Sequence, residues 1–227
     1  MSVHDGHRER LRARFQQEGL DGFTDIQVLE LLLFYCIPRK DTNEIAHALL
    51  DRFKTLAQVL DAPVEELKRV AGVGENTATF LSLISATGRC YLMSKANQNT
   101  VLRTINQCGE YLMPYFYGRR NEMVYLLSLD AKCKVLSCDL VNEGSVNSAS
   151  VSVRRIVEMA LASNATSVIL AHNHPSGVAV PSEEDLRTTQ RIVDALQMVD
   201  VEMVDHFVIA DEDYVSMRQS GKYNIRW

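Results

Sequence analysis

The chain has 227 residues, 46% of them hydrophobic and 23% charged, and a net charge of −5. That length can hold one large or two small domains with ample core, and the composition is that of an ordinary globular protein. No run approaches the roughly 18 apolar residues of a membrane span. The first ten residues carry no apolar leader core, so the expected compartment is the cytoplasm and no membrane partner is expected. Neither half is basic: residues 1–98 carry 12 Lys+Arg against 13 Asp+Glu, and residues 99–227 carry 12 against 16. A broad electrostatic footprint for nucleic acid is therefore absent. The five cysteines, Cys36, Cys90, Cys108, Cys133 and Cys138, are scattered without Cys-x-x-Cys spacing, which suggests neither a disulfide framework nor a thiolate metal site.

The first half reads as helices. A short helix is expected over residues 8–18, with Arg8, Arg10, Arg12 and Arg14 forming either a local basic patch or a solvated face. His4 and His7 fall in a terminus expected to fray. Thr24-Asp25-Ile26-Gln27 is a capping box that opens an apolar helix over 26–35, ended by Pro38. A second capping signal at Asp41-Thr42-Asn43-Glu44 precedes a helix with Ile45, Ala48, Leu49 and Phe53 on one face. Short helices follow near 56–60 and from Val64, then Gly72-Val73-Gly74 and a long helix over 75–93. Such a glycine turn can be a plain helix connection. It can also present backbone N–H groups to a phosphate, which would give a DNA-backbone contact near Gly72 and Gly74 that reads no sequence. Residues 94–99 are polar and aperiodic and read as a linker, dividing the chain into residues 1–96 and 101–227.

The second half alternates. A helix over 104–116 precedes a hairpin of strands 122–129 and 134–141, with a loop over 142–145. Ser148 or Ser150 can cap the next helix. Residues 167–171 read as a buried strand, a helix with Leu186, Val193 and Leu196 on one side follows, and residues 201–210 and 214–217 are the last strands. Strands interleaved with helices make a layered α/β domain with a mixed sheet.

The chemistry lies in His172-Asn173-His174-Pro175-Ser176-Gly177 and the following Pro181-Ser182-Glu183-Glu184-Asp185. Side chains alternate across a strand, so His172 and His174 share a side if the strand continues through them. Ser182 stands where a helix N-cap should be, and Asp185 falls in the first turn. A loop folded back between them brings the Asp185 carboxylate to both imidazoles, and two His with one carboxylate leave a fourth position for water, as in catalytic zinc sites. Ser182 and Asp185 alone also resemble a simple capping box.

His-x-His, seven residues, Ser, two residues, Asp resembles the JAMM signature of the JAB/MPN metalloprotease superfamily. With AHNHPSG ahead of it and Asp205-His206 downstream, the stretch is closer still to the RadC family of bacterial JAB-domain proteins, of the UPF0758 type. The resemblance implies a JAB/MPN (cytidine-deaminase-like) α/β domain preceded by an all-α helix-hairpin-helix domain. It implies one Zn²⁺ per chain on His172, His174 and Asp185, an upstream glutamate as general base and acid, and Ser182 assisting an oxyanion. Glu122, which begins the first strand as the family glutamate does, is favoured for the glutamate over Glu143. The implied function is a metallohydrolase cleaving a peptide or isopeptide amide bond in a peptide or protein substrate. The alternative is a DNA-associated repair or mobile-element protein whose metal site is structural or vestigial. His206 lies outside the implied ligand set: it can orient a group behind the metal ligands or sit in the sheet with Asp205 as partner, and the structural reading is preferred.

Overall fold

The computed structural model describes residues 3–38, 40–95, 100–144, 152–211, 213–221, 223 and 225–227. The chain divides into two compact units, Met1–Gly88 and Arg89–Trp227. Among the described residues no helix is long and apolar enough to cross a membrane.

The first unit is helical: α1 (Val3–Glu18), α2 (Asp25–Cys36), α3 (Asn43–Phe53), α4 (Leu56–Leu60), α5 (Val64–Leu67) and the start of α6 (Glu75–Lys95), which runs on past the division. Leu29, Leu33, Ile45, Leu49, Leu67 and Leu81 form its core. The Thr24 capping box is present, with the Thr24 hydroxyl accepting from the Gln27 N–H and the Gln27 side chain accepting from the Thr24 N–H. Helix α1 begins well before residue 8, and His7 is held within it: its Nε2 lies 3.2 Å from the buried Glu30 carboxylate. The arginine series is partly consumed by the fold. Arg8 donates to the carbonyls of Ile37 (2.7 Å), the C-cap of α2, and of Pro38 (3.0 Å) and Lys40 in the loop that follows, satisfying oxygens at and just beyond the helix end. Arg14 donates to Gly22 O at 2.7 Å and pairs with Glu18. Between α5 and α6 the backbone turns through Gly72 at φ +88, where a Cβ would also meet Ile45 Cδ1 at 2.9 Å. Only glycine meets both demands there.

The second unit holds one five-stranded sheet of order β2-β1-β3-β4-β5, built from β1 (Glu122–Leu129), β2 (Val135–Gly144), β3 (Ser167–Asn173), β4 (Glu202–Ala210) and β5 (Asp213–Ser216). The β1–β2, β1–β3 and β4–β5 pairs are antiparallel and β3–β4 is parallel, so the sheet is mixed. Helix α7 (Ile105–Phe116), opened by a Thr104–Gln107 capping box, covers one face. There Leu112, Tyr115 and Phe116 pack on Met123, Tyr125, Leu127, Ile169, Ala171 and Phe207. The other face carries α8 (Val153–Ala162) and α9 (Glu183–Gln197), with Ile156, Ala160, Ile192, Val193 and Leu196 against Val124, Leu126, Val168 and Leu170. A four-residue α10 (Met217–Ser220) follows β5.

Further expectations change. Residues 142–144, expected to loop after β2, stay paired, with Val124 opposite Asn142 and Glu122 opposite Gly144; Ser145 of that expected loop lies outside the described residues. The cap of α8 is Ser152, whose hydroxyl accepts from the Arg155 N–H; Ser148 and Ser150 lie outside the described residues, as do residues 96–99 of the expected linker. Residues 94 and 95 belong to α6. The cysteines of the described structure are free thiols. Burial pushes Cys108 up to about 11 and Cys138 up to about 12, which disfavours the thiolate of each.

Gly109 shows how closely α7 sits on the sheet. A Cβ there would meet the Tyr214 ring at 2.4–2.7 Å, and that ring packs on Phe207. Gly109→Ala should therefore destabilise the protein by about 1–3 kcal/mol through overpacking. In a Tyr214→Ala background the same change should stabilise by about 0.5–1 kcal/mol, because only the helix preference of alanine remains. Denaturant midpoints of the four proteins check the sign reversal.

Candidate metal centre

Strand β3 is fully buried from Val168 to Asn173, so its apolar run fixes which face each residue takes. Val168 and Leu170 lie in the core under α8 and α9, and His172 takes the same face by alternation. The strand geometry carries on one residue further, since His174 N–H donates to Ile209 O at 2.8 Å. His172 Nε2 and His174 Nε2 lie 3.0 Å apart. The chain then turns, and Val178 O comes 3.0 Å from His174 Nδ1. A carbonyl only accepts, so Nδ1 carries the proton and Nε2 of the neutral ring presents a lone pair.

Helix α9 supplies the carboxylate. Ser182 is its N-cap in extended geometry: the Ser182 Oγ accepts from Asp185 N–H at 3.2 Å, and Asp185 Oδ2 accepts from Ser182 N–H at 2.7 Å and from the Ser182 hydroxyl at 2.6 Å. The same carboxylate reaches the imidazoles, with Oδ1 3.3 Å from His172 Nε2 and Oδ2 3.5 Å from His174 Nε2. Capping box and cluster are thus one arrangement. The cap fixes where α9 begins, and that start aims Asp185 at the end of β3.

His172, His174 and Asp185 each offer one ligand atom, all within 4.8 Å of one another. The imidazole nitrogens are 3.0 Å apart, and each lies near a different carboxylate oxygen, His172 Nε2 3.3 Å from Oδ1 and His174 Nε2 3.5 Å from Oδ2; these spans are of the size found between donors that share one cation at bonds of about 2.0–2.1 Å. Imidazole nitrogen and carboxylate oxygen suit a borderline divalent ion. The electrostatics agree. Burial pushes the Asp185 carboxyl up, and the two imidazoles and the Ser182 hydroxyl more than reverse this, holding it well below the usual carboxylate range. The Asp185 hydrogen bond raises His174 above an ordinary imidazole against the opposing effect of burial. The cluster is an anionic pocket that draws a proton or a cation.

Of the two glutamates, the register puts Glu122 near the cluster. Val124 pairs with His172, and Glu122, two residues earlier on β1, takes the same face. Its charge also contributes to raising His174. Glu143 pairs with Met123, whose side chain lies in the core on the α7 face. It is exposed there, 3.5 Å from Asn121 Nδ2.

Sequence reasoning gave Asn173 and Thr189 no role, and for His206 it preferred the partnership with Asp205 over the orienting role. Asn173, between the two histidines, accepts from Met123 N–H at 2.7 Å and donates to Asn121 O at 3.1 Å, which pins the start of β1 to the end of β3. His206 is not the ring partner of Asp205: the Asp205 carboxylate accepts from the backbone N–H groups of His206 and Arg218 and from Ser216 Oγ. The His206 ring instead lies with Nε2 2.8 Å from His172 Nδ1 and Nδ1 2.6 Å from Thr189 Oγ1. Burial keeps it well below the ordinary imidazole range. Thr189 stands one turn after Asp185, a spacing that signals a shared face.

Known proteins were compared with this chain. The family model described as the RadC-like JAB domain matches residues 102–222. A UPF0758 protein of Fusobacterium nucleatum subsp. nucleatum is 34% identical over 227 residues, covering 96% of this chain and 97% of that protein. The chain belongs to the RadC-like JAB family. A UPF0758 protein of Stutzerimonas stutzeri is likewise 34% identical over 222 residues, covering 97% of this chain and 99% of its own. Neither name states an activity. The family match covers the whole sheet and the His172–His174–Asp185 cluster.

Metal and proton compete for His174. Because His174 is raised, apparent metal affinity should start to fall as pH drops through a value above the ordinary imidazole range, rather than below it. Titration with a divalent ion at a series of pH values measures this. Ser182→Ala should cost about 0.5–2 kcal/mol through the lost cap and should weaken metal binding as the carboxylate loses its tether. Thermal unfolding and a chelator competition read the two effects separately.

Proposed function

We propose that the second unit is a zinc-dependent amide hydrolase, cleaving a peptide or isopeptide bond in a peptide or protein substrate. The observation that carries the reading is the convergence of His172 Nε2, His174 Nε2 and the Asp185 carboxylate in a RadC-like JAB domain. These three residues would hold one Zn²⁺. Zinc bound there would bring the pKa of a water to about 7 and polarise a carbonyl.

The chain's own groups have distinct tasks in this reading. Glu122 would take the proton of the attacking water and hand it to the leaving amine, a transfer that needs a carboxylate on the histidine side of the sheet. Its place on that face supports it over Glu143. Ser182 would stabilise the developing oxyanion. Its hydroxyl proton now serves Asp185 Oδ2 at 2.6 Å, so the hydroxyl must turn from the carboxylate to do this. The cytidine-deaminase-like layering and the helix-hairpin-helix character of the first unit belong to the same reading.

The DNA-associated alternative has less support. Beside the Gly72–Gly74 turn, Lys68 pairs with Glu65 at 3.1 Å and Glu75 at 2.6 Å, and Arg69 pairs with Glu66 at 2.9 Å. Both cations next to the turn already have carboxylate partners.

Asp185→Ala and His174→Ala should each abolish stoichiometric zinc in protein purified without chelator, measured by elemental analysis; full zinc content in either variant would refute the ligand set. Glu122→Gln should keep the zinc and lose about 10²–10⁴-fold in amide hydrolysis, the usual weight of a general acid–base. Glu143→Gln should leave both unchanged. A Glu143→Gln loss with Glu122→Gln active would reverse the assignment.

A further inference from the structure

We propose that His206 and Thr189 are positioning residues that fix the tautomer of His172, so that His172 meets the metal through Nε2 and never through Nδ1. The inference rests on the metal-centre reading above and deepens it.

The argument is hydrogen-bond accounting, started at its one unambiguous end. Thr189 is fully buried, and its Oγ1 lies 2.6 Å from the carbonyl oxygen of Asp185. Two oxygens that close need a proton between them, and the carbonyl has none to give. The Thr189 hydroxyl is therefore the donor, and its proton is used. His206 Nδ1 lies 2.6 Å from the same Oγ1. It can only donate to it, so His206 carries its proton on Nδ1.

The His206 ring is 2% exposed and its two nitrogens meet only Thr189 and His172 among the described residues. No carboxylate bonds it, so the ring is neutral. Its Nε2 is then an acceptor, and His172 Nδ1, 2.8 Å away, must be the donor. This leaves the His172 lone pair on Nε2, facing His174 Nε2 at 3.0 Å and Asp185 Oδ1 at 3.3 Å. His174 reaches the same state by a different route, through Nδ1–H on Val178 O.

The hydrogen bonds run from the backbone carbonyl of Asp185 through Thr189 and His206 to His172 Nδ1. The bare His172 Nε2 then faces the carboxylate of the same Asp185, the two acceptors turned toward one cation position. One residue of α9 stands at both ends, and β3 and β4 supply the rings. A ligating imidazole usually donates its second N–H to a carbonyl, a carboxylate or water. Here the acceptor is another imidazole, which can accept only because Thr189 holds it in one tautomer. Thr189 acts through His206, and His206 acts through His172; neither touches the cation position.

The test uses the full-length chain, wild type beside His206→Phe, His206→Gln and Thr189→Val. Long-range ¹H–¹⁵N spectra of the metal-free protein read the ring tautomers, and competition with a chromophoric chelator reads Zn²⁺ affinity. Circular dichroism confirms that each variant is folded. We expect His172 and His206 both protonated on Nδ1 in the wild type. His206→Phe should weaken Zn²⁺ by about 10–100-fold. His206→Gln, whose amide oxygen can accept from His172 Nδ1–H, should recover most of that loss. Thr189→Val should turn His206 into mixed tautomers and give a smaller loss. Should His206→Phe unfold, the Gln and Val variants and the wild-type spectrum still decide. His172 protonated on Nε2 in the metal-free wild type would overturn the inference, as would wild-type affinity in folded His206→Phe. Nδ1 protonation with no Zn²⁺ uptake by the wild type would instead sink the metal-centre reading and leave the tautomer relay standing.

Discussion

The Asp185 carboxylate has two sets of partners. It closes the N-terminal turn of α9 by accepting from Ser182 N–H and Oγ, and it faces two imidazoles at the end of β3. A helix N-terminus is a favourable place for negative charge, because unsatisfied N–H groups and the helix dipole both stabilise it. The charge that raises His174 is therefore one the helix itself favours. Without the cap, α9 would begin elsewhere, and without α9 the inner face of Thr189, Ile192, Val193 and Leu196 would not cover the sheet. Fold and site hang on the same side chain.

The sheet does the remaining positioning. Its mixed order puts β3 at the centre, antiparallel to β1 and parallel to β4. Those two neighbours bring Glu122 and His206 to the same face as His172. The opposite face is a buried, largely aromatic core of Tyr115, Phe116, Tyr125 and Phe207 under α7. Polar chemistry is thus confined to one side of one strand end, and Asn173, pointing the other way, ties β1 to β3 where the histidines emerge.

Much of this was legible in the chain itself. The Thr24 and Ser182 caps, the β1–β2 hairpin and the His-x-His alternation are local signals, set by the chemistry of neighbouring residues and by strand or helix period. What escaped is non-local. Nothing near residues 142–144 shows that they stay paired with β1, because the partner strand lies some twenty residues away. The role of His206 depends on the register of β4 against β3, which shifts between Val168 and Ile169. That shift carries His206 to the face of Leu170 and His172, while the neighbouring Asp205 turns to cap the start of α10. The Asp-His dipeptide reads as a pair, and the strand splits it. The arginines of α1 misled in the opposite direction: Arg8 and Arg14 serve orphan carbonyls of their own unit, which charge counting does not see.

The residues gathered around the strand end come from positions 122, 172, 174, 185, 189 and 206, on β1, on and just past β3, on β4 and on α9. No shorter piece of the unit holds them together. A cation taken up there would bind the native chain and not the unfolded one, so occupancy and folding would be thermodynamically linked: a ligand at about 100 times its Kd would add about 2.7 kcal/mol to the stability of the whole sheet. A shortage of the ion would then be felt as a softer fold as well as an emptier site.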